Sequence, residues 1–125
     1  MRLLIAALFL VAAAIKLAPV VGVLGAERLR ALYDVDASDP QLAILLRHRA
    51  LLFAVVGGLL AAAAFRPELR VAAVLVGLVS ALGFIVIARL EPGANALLQR
   101  VAAMDWVVTA LLVAAGTLHG MQPPR

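Results

Sequence analysis

Apolar positions in this chain neither alternate nor keep to one narrow helical stripe; they continue almost unbroken over lengths that would cross a bilayer, and short polar groups punctuate them. The runs predict four spans, at about 3–18, 40–64, 69–88 and 96–118. Within hydrocarbon every backbone N–H and C=O must find a partner inside its own segment, which a helix provides and an isolated strand does not. The expected class is therefore all-α: a four-helix transmembrane bundle, forming a single integral membrane domain over residues 1–125.

The punctuation refines these spans. Met1-Arg2 followed by Leu3 to Ala14 resembles the start of a signal peptide. The apolar run nevertheless passes Lys16 and reaches Gly25, about 23 residues where the core of a removable signal has roughly 7 to 15. It reads as a retained first span, with Pro19 and Gly22 loosening its end. Between Gly25 and Asp36, Leu29, Leu32 and Tyr33 recur at helical spacing among Glu27, Arg28 and Arg30, a pattern that fits a short interfacial helix as well as an ordinary polar connector. Ser38-Asp39-Pro40-Gln41 opens the second span with a capping side chain and a proline suited to the first turn. Arg66-Pro67 ends it, Glu91-Pro92-Gly93 is the next turn, Asn95 caps the fourth span, and Gly120 with Pro123-Pro124 closes it.

Composition agrees with lipid as the main solvent. Hydrophobic residues make up 66% of the 125, charged residues 14%, and the mean hydropathy is +1.10, leaving too little polar surface to coat a soluble particle. The net charge of +4 does not indicate nucleic acid, because the basic residues are spread among the ends of apolar runs instead of clustering on one solvated face. With no cysteine there is no thiolate chemistry, disulfide or Cys-ligated metal. An even number of spans puts both termini on one side, with Arg2, Arg66, Arg70 and Arg125, against Arg28, Arg30, Arg89 and Arg100 on the other. That near tie is read with the termini in the cytoplasm.

Five ionisable residues fall within the apolar spans: Lys16, Arg47, His48, Arg49 and Asp105. A charge at the bilayer centre costs about 2.5 to 3.5 kcal/mol on insertion scales, so each needs a partner or water. Counting 1.5 Å per residue puts Arg47 about 28 Å from Arg66, Asp105 about 7.5 Å beyond Arg100 and Lys16 about 20 Å from Leu3. All five therefore lie in the half of the membrane away from the termini. Small residues recur on the faces that carry them: Ala50, Ala54, Gly58 and Ala61 with Arg47; Ala102, Thr109 and Gly116 with Asp105; Ala12 and Ala13 with Lys16. Ala73, Gly77, Ser80 and Ala88 form a similar row in span three. Turned inward, these rows would set Asp105 against Lys16, Arg47 or His48, while Arg49, about 200° around from Arg47, would snorkel to the headgroups. The cluster reads either as a structural set of neutralising charges or as a pocket for an anionic or polar ligand. Trp106 and Tyr33 read as interfacial anchors; His48 and His119 lie at opposite membrane ends and cannot share a metal or bracket a haem.

Leu24-Gly25-Ala26-Glu27-Arg28-Leu29, Leu32-Tyr33 and Leu42-Ala43-Ile44-Leu45-Leu46-Arg47-His48-Arg49-Ala50-Leu51-Leu52-Phe53 together resemble small bacterial four-helix membrane proteins of the DoxX-like kind, in which a short helix follows span one and a basic triplet opens span two. The resemblance implies a bacterial inner (cell) membrane and an accessory role, sometimes near redox enzymes, without an agreed activity. Some proteins of this appearance carry the name phosphopantetheine adenylyltransferase. The soluble enzyme properly so named has a His-x-Gly-His motif, whereas His48 is followed here by Arg49-Ala50 and His119 by Gly120-Met121.

Three functions follow as expectations. The first is a non-catalytic accessory or assembly subunit with a structural polar cluster, since no set of nucleophile, base and orienter is recognisable and no cofactor is called for. The second is a carrier or binding protein in which Lys16 and Arg47 hold an anionic lipid, a quinone or a small anion; proton-coupled cation export fits less well, because four-helix exporters of this length use an acidic residue where span one has Lys16. The third is a membrane enzyme with His48 and Asp105 as an acid/base pair. Expected partners are membrane lipid and a membrane protein or a second copy of this chain.

Overall fold

Asp39 and Pro40 show how the local chemistry starts a helix. The Asp39 side chain accepts from the Gln41 amide at 3.1 Å, and Pro40 takes the first helical position, where its missing N–H is not needed. The cap is thus Asp39 itself; the Ser38 amide instead donates to Asp36. A computed structural model describes residues 1–36 and 38–123. Its elements are α1 (Arg2–Leu17), α2 (Ala26–Tyr33), α3 (Pro40–Phe65), α4 (Arg70–Leu90) and α5 (Ala96–Gly120), with 3-10 helix at Ala18–Leu24 and Pro67–Leu69. Pro124 and Arg125, which the sequence sets at the carboxyl end, lie outside the described residues.

The fold is all-α, with no strand among the described residues. Four of its helices are long and apolar enough to span a membrane, and the short α2 stands between the first and second. By length and composition this is a multi-pass membrane protein. Its outside is correspondingly greasy: Leu3 is 87% and Val79 75% exposed.

The first span does not stop at Pro19. It tightens there into 3-10 helix, which tolerates the proline in its own first turn, and continues to Leu24. Gly25, at φ 130°, then makes the turn into α2 in a conformation that a side chain would strain. Residue Asp34, left-handed at φ 51°, ends α2 with its amide on the Arg30 carbonyl at 2.8 Å.

Packing follows small residues. α1 lies chiefly on α3 and α5, and α4 on α5, around a core that includes Ile5, Phe9, Leu60, Val108 and Leu112. Where α1 meets α3, a Cβ on Gly57 would fall 2.6 Å from Leu17, so the bare glycine sets the distance of approach. Leu29 and Tyr33 of α2 pack against Ala43, Leu46, Leu98 and Val101, which closes that end of the bundle. Asn95 fastens the closure. Its side-chain oxygen caps α5 by accepting from Leu98 N at 2.9 Å, and its amide donates to the carbonyls of Tyr33 and Asp34 at 2.7 and 3.2 Å.

Candidate functional site

Lys16 ends α1 on its buried face, below Ala12 and Ala13, and Asp105 occupies the buried row of α5 that continues through Val108, Leu112 and Ala115. The two meet. Nζ of Lys16 donates to Oδ1 of Asp105 at 2.7 Å, with side chains only 2% and 5% exposed. The second oxygen, Oδ2, is buried without a hydrogen-bond partner among the described residues. A lone ammonium or carboxylate at this depth would be expensive, so each charge makes the other tolerable.

Above the pair lies Phe53. Its ring centre is 5.2 Å from the Lys16 ammonium and 4.4 Å from the Arg49 guanidinium carbon, so one phenyl carries both cations. Arg49 also lies 5.2 Å from the ring centre of Tyr33 and 5.1 Å from that of Phe84, and its Nη1 donates to the Tyr33 hydroxyl at 2.7 Å. Tyr33 is therefore buried as a hydrogen-bond acceptor and ring wall, and Trp106, half exposed, is left as the outward aromatic.

This corrects the expected phase of α3. The inward row is Ala50, Phe53, Gly57, Leu60 and Ala64, preceded by Arg49, and not the row through Arg47, Ala54, Gly58 and Ala61. Gly57 accounts for the shift, because its face, not that of Gly58, admits Leu17. Consequently Arg49 is half-buried instead of snorkelling, while Arg47 is exposed and donates Nε–H to the Val23 carbonyl at 2.8 Å, pinning the end of the 3-10 segment. His48 is exposed too, and among the described residues no hydrogen bond or ion pair joins it to Asp105. Of the five ionisable residues expected in this half of the membrane, the structure joins Lys16 to Asp105, sets Arg49 beside them across Phe53, and holds Arg47 and His48 apart.

One buried charge was not anticipated from the sequence. Arg70, expected at the membrane surface, is 4% exposed in the first turn of α4. It turns back over the end of α3, donating Nε–H to the Ala63 carbonyl at 3.0 Å and Nη2–H to that of Ala64 at 3.2 Å, with the Phe9 ring centre 6.0 Å away. The last carbonyls of a helix lack intrahelical donors, and a guanidinium fork is suited to serve two of them. The signal available was an arginine three residues after the Pro67 turn, close enough to reach back.

No group of three or more His, Asp or Glu side chains is positioned to hold a metal among the described residues. Comparisons with protein families, with curated proteins and with solved structures found no match to this chain.

Proposed function

We propose that this protein is a non-catalytic accessory or assembly subunit, of the DoxX-like kind, in a bacterial cell membrane. The observation that carries the reading is the closed Lys16–Asp105 pair: its charges are spent on each other, 2.7 Å apart and out of reach of solvent, in a position that joins α1 to α5. Catalysis would need a nucleophile, a base and an orienting group converging on one point, whereas the group that bonds this carboxylate is an ammonium that neutralises it. A carrier gripping an anion between Lys16 and Arg47 would have to separate Lys16 from Asp105 and draw Arg47 off the Val23 carbonyl, two losses before any gain.

The proposal places the termini in the cytoplasm, which reporter fusions at each end would check. It is tested by purifying wild type and Asp105→Asn from the same membranes in mild detergent. Loss of folded, monodisperse protein in the variant is expected; full yield with lost cellular function would overturn the structural role. Pull-down of tagged wild type from native membranes should then retain a defined membrane-protein partner, or a second copy of the chain, in constant proportion.

A further inference from the structure

Between the helices at the far end of the bundle, buried Lys16 and half-buried Arg49 share one buried carboxylate, Asp105. Lys16 is matched by Asp105, which leaves Arg49 with one hydrogen bond to a neutral hydroxyl and three aromatic neighbours. The carboxylates of Glu27, Asp34, Asp36, Asp39 and Glu91 are exposed, and among the described residues none makes an ion pair with it. Charges at the edge of hydrocarbon ordinarily find a counter-ion.

Arg49 also lines a groove. Between α3 and α4 a furrow of about 300 Å³ is walled by Leu52, Val56, Val79, Gly83 and Ile87, with Arg49 at its upper end. A Cβ on Gly83 would meet nothing within 4 Å, so this glycine keeps the furrow open without serving any helix contact. From Arg49 to Val56 the apolar wall runs about 10 Å along the helix. Counted from Arg66, Arg49 stands about 25 Å up the span, close to the headgroup level of a hydrocarbon layer about 30 Å thick.

We infer that this furrow binds an anionic phospholipid, its phosphate on Arg49 and one acyl chain laid along α3 and α4. The guanidinium supplies charge-assisted donors to phosphate, and the rings of Phe53 and Phe84 hold its plane in place at the mouth. A zwitterionic lipid offers the same phosphate but brings its own cation to compete. Selection therefore follows net headgroup charge.

The test uses the full chain in mild detergent, titrated with phosphatidylglycerol or with phosphatidylcholine of identical acyl chains, with retained lipid counted by native mass spectrometry. Wild type should retain phosphatidylglycerol about tenfold better. Arg49→Gln and, separately, Gly83→Leu should each lower that retention about tenfold, while Arg47→Gln leaves it within about twofold. Gly83→Leu grows from a Cβ that meets nothing within 4 Å into the furrow and leaves Lys16, Asp105, Arg49 and Tyr33 themselves in place, so it reports on the site even where Arg49→Gln loosens the fold. Equal retention of the two lipids by wild type, or undiminished retention in Gly83→Leu, overturns the inference.

Discussion

Lys16 and Asp105, 89 residues apart in the chain, form an ion pair at 2.7 Å between the last turn of the first helix and the middle of the last. Because α5 packs on both α1 and α4, and α1 on α3, this one contact closes the order in which the four spans surround the core. The pair acts less as a source of stability than as a condition on register, since taking both ions out of water costs about as much as their attraction returns.

Removing one member should accordingly hurt more than removing both. Asp105→Asn or Lys16→Met is expected to destabilise the bundle by about 3 kcal/mol, and Lys16→Met/Asp105→Leu to return within about 1 kcal/mol of wild type. Equilibrium unfolding in detergent measures the cycle, and strictly additive losses would show that the two residues do not interact.

Adjacent glycines should respond in opposite ways. Gly57→Leu drives a side chain into Leu17 and should cost about 1–3 kcal/mol, separating α1 from α3. Gly58→Leu enters open space and should stay within about 0.5 kcal/mol. Thermal unfolding of both variants, side by side, decides whether the inward phase of α3 is assigned correctly.

Arg70→Met strips the carbonyls of Ala63 and Ala64 of their donors and should destabilise by about 2 kcal/mol. Arg70→Lys should recover only part of this, because an ammonium lacks the planar fork that serves two carbonyls. Amide exchange at Arg66, whose N–H bonds to the Ala62 carbonyl, should quicken in Arg70→Met.

Asn95→Ala removes the cap of α5 and the two bonds that tether the end of α2. About 1–2 kcal/mol should be lost for the cap. Hydrogen exchange should rise across α2 while α4 keeps its protection; an unchanged α2 would mean that Leu29 and Tyr33 alone hold it down.

The spans and the need of Asp105 for a basic partner were readable from the chain because both rest on large energies, backbone polar groups inside lipid admitting helices and a lone buried carboxylate being costly. Which of Lys16, Arg47 and His48 would meet it was open, and the structure brings Lys16. Asn95 was readable as a cap because its chemistry is local. The side of α3 that faces inward was not. In a sequence so rich in alanine, rows of small residues occur on several faces at once, and choosing between Gly57 and Gly58 depends on where Leu17 arrives from another helix. Arg49 and Arg47 exchanged roles for that reason. Arg70 was missed because an arginine beside a turn has the same signature whether it anchors at a headgroup or folds back over a helix end, and the difference lies in the tertiary approach of α3 and α4.

The 3-10 stretch at Ala18–Leu24 gives the opening crossing a rod of about 38 Å, against an oily layer of about 30 Å. A rod longer than the layer is accommodated by tilting, kinking or local thickening of the bilayer, and shorter-tailed lipids enlarge the mismatch. Since its α-helical part ends one residue past Lys16, acyl chain length becomes a mechanical load delivered directly to the joint between the first and last crossings.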